Sequence, residues 1–197
     1  MGKGSGKKTP DQKNLDKKTP DKKNPERTAS GKKDSRTAKP VSDKKLTALL
    51  QALREREETV TTVESLTAGM ISARIADIPG SSDVLKRAFV TYCDEAKHDM
   101  AGVRRKTLKK HTAVSSQTAK QMAKGGAERA HADACVSATG YAGPPSSPDD
   151  NTVGLVFLGC CYHGKTETEE HRYTGSRNEV RAQAMNDALR MLMRAVM

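Results

Sequence analysis

From Leu46 onward the hydrophobic pattern alternates between helical and strand periods, and this restricts the chain to an α/β fold. Leu46, Leu49, Leu50 and Leu53 fall at i, i+3, i+4 and i+7, the spacing of a helix that buries one face, with Ser42 or Asp43 as its N-cap. Thr59 to Val63 is a β-branched run that predicts a buried strand. A second helix follows over about Thr67 to Ala76 and ends at Pro79-Gly80-Ser81-Ser82. Ala88 to Tyr92 fits a second strand. Beyond a polar segment, Ala119, Met122, Ala123, Gly126, Ala127 and Ala130 line one helix face with side chains small enough to lie close to a sheet. Ala134 to Ala138 predicts a third strand, and Val153 to Cys161 with Thr166 to Tyr173 a hairpin around His163-Gly164-Lys165. Val180, Ala184, Ala188, Met191, Leu192 and Ala195 give the buried stripe of a long last helix. Strands alternating with helices, plus one hairpin, predict a three-layer α/β/α sandwich on a mixed sheet, with the foldable part at residues 46–197.

Residues 1–45 do not join this pattern. They hold fifteen Lys or Arg against six Asp or Glu, a net of +9 of the chain's +11, with few aliphatic residues. So little apolar surface does not offset an ordering entropy of about 1–2 kcal/mol per residue, which predicts a disordered basic tail. Lys7-Lys8-Thr9-Pro10-Asp11 returns as Lys17-Lys18-Thr19-Pro20-Asp21, a ten-residue repeat whose prolines break helices. The lysine pairs read either as a solvated extension or as a weak, sequence-blind contact with a polyanion. No aromatic residue lies among them to stack on bases. The remaining 152 residues carry 20 basic and 18 acidic groups, so no basic field is expected on the folded part.

No run approaches the ~18 apolar residues that span a bilayer, and the N-terminus lacks the apolar core of a secretory signal, which predicts a cytoplasmic protein without membrane contact. Cys93, Cys135, Cys160 and Cys161 have no CxxC spacing and are expected as thiols. The five histidines show no ligand spacing, so no metal site is expected.

Ligands of such sheets sit at the carboxyl ends of strands, so the turns that follow strands are the candidate site. Glu64-Ser65-Leu66-Thr67-Ala68-Gly69 offers a hydroxyl beside backbone N–H groups at a helix start, which suits an oxyanion or a simple N-cap. Tyr92-Cys93-Asp94-Glu95-Ala96-Lys97 offers a phenol and an amine; a lysine with a lowered pKa can deprotonate a serine, whereas an ordinary one is a surface charge. Thr139-Gly140-Tyr141-Ala142-Gly143-Pro144 is a loop of small residues with room for a ligand against its backbone.

Taken in order, Val63-Glu64-Ser65-Leu66-Thr67-Ala68-Gly69, Ile78-Pro79-Gly80-Ser81-Ser82, Val90-Thr91-Tyr92, Glu95-Ala96-Lys97, Ala113-Val114-Ser115, Met122-Ala123, Thr139-Gly140, Ala142-Gly143-Pro144, Gly175 and Arg177 resemble the signature of the CinA C-terminal domain family. The resemblance covers about Leu46 to Val196. It implies hydrolysis of the nicotinamide mononucleotide amide to nicotinate mononucleotide and ammonia, without metal or cofactor, and self-association into a homo-oligomer. By position it makes Ser65 the nucleophile and assigns Lys97 and Tyr92 to its activation and orientation. Thr67, Thr139, Gly140, Ala142 and Gly143 fall to the substrate-binding turns, and Arg177 to the substrate phosphate. The chain departs from the family pattern after Pro144, where Pro145-Ser146-Ser147-Pro148 replaces glycines and Pro145 has no N–H to donate. Cys93 stands where serine is commoner. Two other function classes stay open: a nucleotide-binding or regulatory protein without turnover, and a nucleic-acid accessory protein acting through residues 1–45.

Overall fold

The computed structural model describes residues 39–147 and 150–197. Of the tail expected to be disordered over residues 1–45, residues 1–38, with the repeat, lie outside the described residues, and residues 39–45 belong to the described part.

Helix α1 (Asp43–Glu55) buries Leu46, Leu49, Leu50 and Leu53, as their spacing predicts, with Ser42 at the N-cap. The folded part begins ahead of Leu46, because Val41 is buried and its N–H donates to Oδ1 of Asn186 at 2.8 Å. Then follow β1 (Val60–Glu64), α2 (Met70–Ala76), β2 (Leu85–Val90), α3 (Asp94–Ala101), α4 (Arg105–His111), α5 (Ser116–Ala130), β3 (Ala134–Gly140), β4 (Leu155–Tyr162), β5 (Lys165–Arg172) and α6 (Arg177–Val196). The strands form one sheet in the order β2-β1-β3-β4-β5. Strand β1 runs parallel to both β2 and β3, while β3, β4 and β5 pair antiparallel. Helices α1, α2 and α6 cover one face and α3, α4 and α5 the other, which gives the three-layer sandwich on a mixed sheet that the pattern predicts.

Several boundaries differ from the sequence reading. Helix α2 starts at Met70 rather than Thr67, because Ala68 (φ 49°) and Gly69 (φ 93°) both turn left-handed before it. Strand β2 ends at Val90, where its register with Glu64 ends, and Thr91 and Tyr92 lie beyond it. Strand β3 continues to Gly140 because β4 pairs with it as far as Gly140 with Val156, so Thr139 and Gly140 belong to the strand end, not to a turn. The polar segment folds as α3 and α4, which bury too few apolar side chains to show a stripe. On α6 the stripe passes through Leu189 and Val196, and Ala195 is exposed on its flank. The hairpin turns at His163 and Gly164, both left-handed as a two-residue loop requires.

Side chains alternate across the sheet, so neighbours serve opposite cores. Cys160 joins the core under α1, α2 and α6, and Cys161 the core under α3 and α5; all four cysteines are free thiols. The α3–α5 layer lies close because α5 carries glycine where it meets its neighbours. A Cβ on Gly126 would sit 2.3 Å from Cγ2 of Val63, and one on Gly125 would sit 1.9 Å from the carbonyl oxygen of Ala101 at the end of α3. The second neighbour is backbone and cannot rotate away. Gly125→Ala is expected to destabilise the fold by about 1–3 kcal/mol, from forced displacement of α3; equilibrium denaturation of the variant beside the parent measures it.

Candidate active site

The alternation that divides the cores also builds the site. At the carboxyl end of β1, Glu64 points toward α2 and Ser65 toward the α3 layer. The ladder runs one residue past the strand, with the Ser65 N–H on the Ala138 carbonyl at 2.9 Å and the Thr91 N–H on the Glu64 carbonyl at 2.7 Å. The Glu64–Ser65 peptide is therefore held from both sides, by β3 and by the segment after β2.

Glu64 is fully buried and its carboxylate gathers four donors. Oε2 accepts from the N–H groups of Gly69 (2.9 Å) and Ile71 (3.0 Å), and Oε1 from the Ser72 N–H (2.9 Å) and the Thr62 hydroxyl (3.0 Å). A carboxylate at these positions satisfies the free amides of the first helical turn and complements the helix dipole. The N-terminus of α2 is thus closed by the protein itself, and the sequence expectation of an anion site there is corrected. What remains open is the turn ahead of it. The Ala68 N–H is on the Ser65 carbonyl at 3.1 Å, whereas among the described residues the Leu66 and Thr67 amides have no acceptor. Thr67 is 0% exposed over its whole length, backbone included, and its hydroxyl has no partner among the described residues, so the substrate contact expected of it is corrected: it lies behind the cleft wall, and Leu66 is the residue of this turn that borders the cleft beside Ser65.

Lys97, on α3, is 1% exposed, and its Nζ meets three oxygens: Oγ of Ser65 at 3.2 Å and the carbonyls of Thr91 at 3.0 Å and Tyr92 at 3.4 Å. Burial pushes its pKa down, opposed by the negative charge of Asp94 and then by Cys93. A neutral amine fits this cradle: its two N–H groups go to the two carbonyls and its lone pair to the Ser65 O–H. The segment just after edge strand β2 thus orients the Lys97 amine through main-chain carbonyls, a role with no side-chain signature.

Ser65, Lys97, Asp94, Thr139, Ala142 and Arg177 line one cleft of ≈ 200 Å³. The Thr139 hydroxyl donates to the Ala113 carbonyl at 2.8 Å, which ties β3 to the segment before α5. Gly140, Ala142 and Arg177 also border an adjoining hollow of ≈ 500 Å³, which Gly143 lines on the outer side. There Asp150 braces the proline-containing loop, accepting from the N–H groups of Ser146 and Thr152 and from both hydroxyls. These contacts hold its pKa below the usual carboxylate range. Tyr92 is 58% exposed, and its phenol oxygen accepts from Nη2 of Arg177 at 2.9 Å; the guanidinium also donates to the Gly143 carbonyl. The phenol therefore faces Arg177, and Tyr92 reaches Lys97 through its carbonyl alone. Three contributors lack a role in the sequence reading: Glu64 and Asp94, which stand inside the quoted motifs, and Arg181, discussed below.

The family model described as CinA C-terminal domain matches residues 43–196. A protein of Clostridium acetobutylicum named for competence-damage induction is 40% identical over 157 residues, which cover 79% of this chain and 38% of that one. A CinA-like protein of Endomicrobium trichonymphae is 41% identical over 142 residues, covering 72% and 33%. The chain thus spans well under half the length of these relatives. Among solved structures, the competence/damage inducible protein CihA from Agrobacterium tumefaciens superposes with a TM-score of 0.74 at 38% identity, covering 79% of this chain and 95% of that one. A competence or damage-inducible protein from Enterobacter asburiae gives 0.74 at 31% identity, covering 79% and 98%.

Glu64→Ala would leave three amides at the start of α2 without their acceptor. A loss of more than about 2 kcal/mol is expected, since each buried donor left unmade costs about 1–3 kcal/mol. Urea denaturation gives the value, and amide exchange at Gly69, Ile71 and Ser72 should quicken with it.

Proposed function

The chain belongs to the CinA C-terminal domain family, and from that premise we propose that it hydrolyses the carboxamide of nicotinamide mononucleotide to nicotinate mononucleotide and ammonia. The observation that carries the reading is the 3.2 Å contact between Oγ of Ser65 and a buried Lys97 already supplied with two carbonyl acceptors. A Ser–Lys pair needs no histidine: the neutral amine takes the hydroxyl proton as the oxygen attacks the amide carbon. The tetrahedral intermediate places its oxyanion against the free Leu66 amide, which follows Ser65 at the cleft wall. The Lys97 ammonium then returns its proton to the amide nitrogen, the C–N bond breaks and ammonia leaves. Water attacks the resulting Ser65 ester with Lys97 again as base, which frees the acid product.

The surroundings suit a substrate with opposite charges at its two ends. Asp94 lines the inner cleft, where its carboxylate favours a cationic pyridinium ring. Arg177 stands where the cleft meets the outer hollow, placed for a phosphate, with Tyr92 and Gly143 holding the guanidinium until the phosphate arrives.

Ammonia release from nicotinamide mononucleotide by the full chain tests the reading, and a silent parent would overturn it. Ser65→Ala and Lys97→Met are each expected to lose about 10²–10⁴-fold in rate. Lys97→Met should keep or raise the Tm. At neutral pH the unfolded chain holds a proton that burial disfavours in the folded one, a penalty largest below the lowered folded pKa and fading as pH rises toward the ordinary lysine value. A methionine removes that penalty.

The same shift fixes the pH dependence. Activity rises with pH as Lys97 loses its proton, and because Asp94 raises the Lys97 pKa, Asp94→Asn moves this limb to lower pH. A pH–rate profile of kcat/KM for both proteins reads the displacement.

A further inference from the structure

The turn after Ser65 is held only in part by its own sequence, through the Ala68 N–H on the Ser65 carbonyl and the Met70 N–H on the Thr67 carbonyl, both at 3.1 Å. Ala68 is a non-glycine residue at φ 49°, followed by Gly69 at φ 93°, and the Thr67 hydroxyl is buried without a partner among the described residues. The remaining hold on its peptide planes comes from α6. Nε of Arg181 donates to the Leu66 carbonyl at 2.9 Å and Nη2 to the Thr67 carbonyl at 3.2 Å, while Nη1 meets Oδ1 of Asn178 at 3.3 Å. One planar guanidinium thus grips two successive carbonyls from 114 and 115 residues away in sequence.

A trans peptide points its N–H opposite to its C=O. Pinning the Leu66 carbonyl toward α6 turns the Thr67 N–H away from α6. The Ser65 carbonyl is likewise held, by the Ala68 N–H, and this turns the Leu66 N–H away from the interior of the turn. Of these two amides without acceptors among the described residues, that of Leu66 borders the cleft, whereas Thr67 is wholly buried behind it. We propose that Arg181 is a positioning residue for catalysis: by gripping the Thr67 carbonyl it holds the Thr67–Ala68 peptide, whose N–H holds the Ser65 carbonyl, and so fixes the free Leu66 amide beside Ser65 as an oxyanion donor. The inference rests on the Ser65 reading above and adds a residue to it. Arg181 touches no reacting atom. It acts by removing the reorganisation that a loosely held turn would require as charge develops on the substrate oxygen.

The test compares the full-length parent with Arg181→Met and Arg181→Lys in two assays. In the first, turnover of nicotinamide mononucleotide is expected to fall about 10²-fold in kcat for Arg181→Met, the scale of one lost oxyanion donor, with KM and the acid limb of the pH profile unmoved. Arg181→Lys, which can grip one carbonyl, should recover part of the loss. The second assay is independent of the natural substrate: the rate at which phenylmethanesulfonyl fluoride sulfonylates Ser65, followed by the mass of the Ser65 peptide. It should fall in parallel. A silent parent whose Ser65 is sulfonylated in an Arg181-dependent way would remove the assigned substrate and keep the role of Arg181. A kcat in Arg181→Met within threefold of an active parent, or a loss shared between kcat and KM in proportion to lost folded protein, would overturn the role of Arg181. A parent inert in both assays would overturn both.

Discussion

The carboxylate of Glu64 is the contact on which the rest of the site depends. It lies at the junction of β1 and α2, where the chain must leave a central strand, turn left-handed twice and enter a helix within five residues. Without an acceptor, the amides of Gly69, Ile71 and Ser72 would need water inside the core or a different turn. With it, the turn becomes compact enough to lie under α6. Period-two geometry then does the remainder, because a strand that sends residue 64 to one face sends residue 65 to the other. The helix cap and the proposed nucleophile are consecutive residues with opposite duties.

Lys97 shows how an unfavourable burial can be useful. Its amine sits in a dry place with two carbonyls and a hydroxyl, and desolvation outweighs the opposing charge of Asp94. A protein optimised only for stability would place an apolar side chain there. Close packing keeps the lysine in place: α3 rests on α5 at Gly125, so the amine cannot withdraw without lifting a helix from its neighbour.

How much of this could be read from the residues alone follows from where each signal is stored. Helices α1, α5 and α6 show their period because each buries a broad apolar face, and the strands show theirs through β-branched runs. Helices α3 and α4 show none, since α3 buries only Lys97 and Ala101, and a buried lysine looks like any other charge. Ser65, Lys97, Thr139 and Arg177 could be named from motif order, and they line one cleft. The duties of Glu64 and Arg181 could not. The first depends on a left-handed pair that postpones the helix to Met70; the second joins positions 114 and 115 residues apart, and no local pattern records such a contact. The direction of the Tyr92 phenol was equally hidden, because it follows from where the edge strand stops.

The two halves of the proposed dyad do not enjoy equal support. Ser65 follows β1, which is laddered on both sides, whereas Lys97 and its two carbonyl partners follow β2, which stands at the margin of the sheet with one neighbour. Margins open at lower free energy than centres. Fraying of that margin would separate amine from hydroxyl while the other four strands stayed paired, so the proposed chemistry is expected to be lost on warming before the fold.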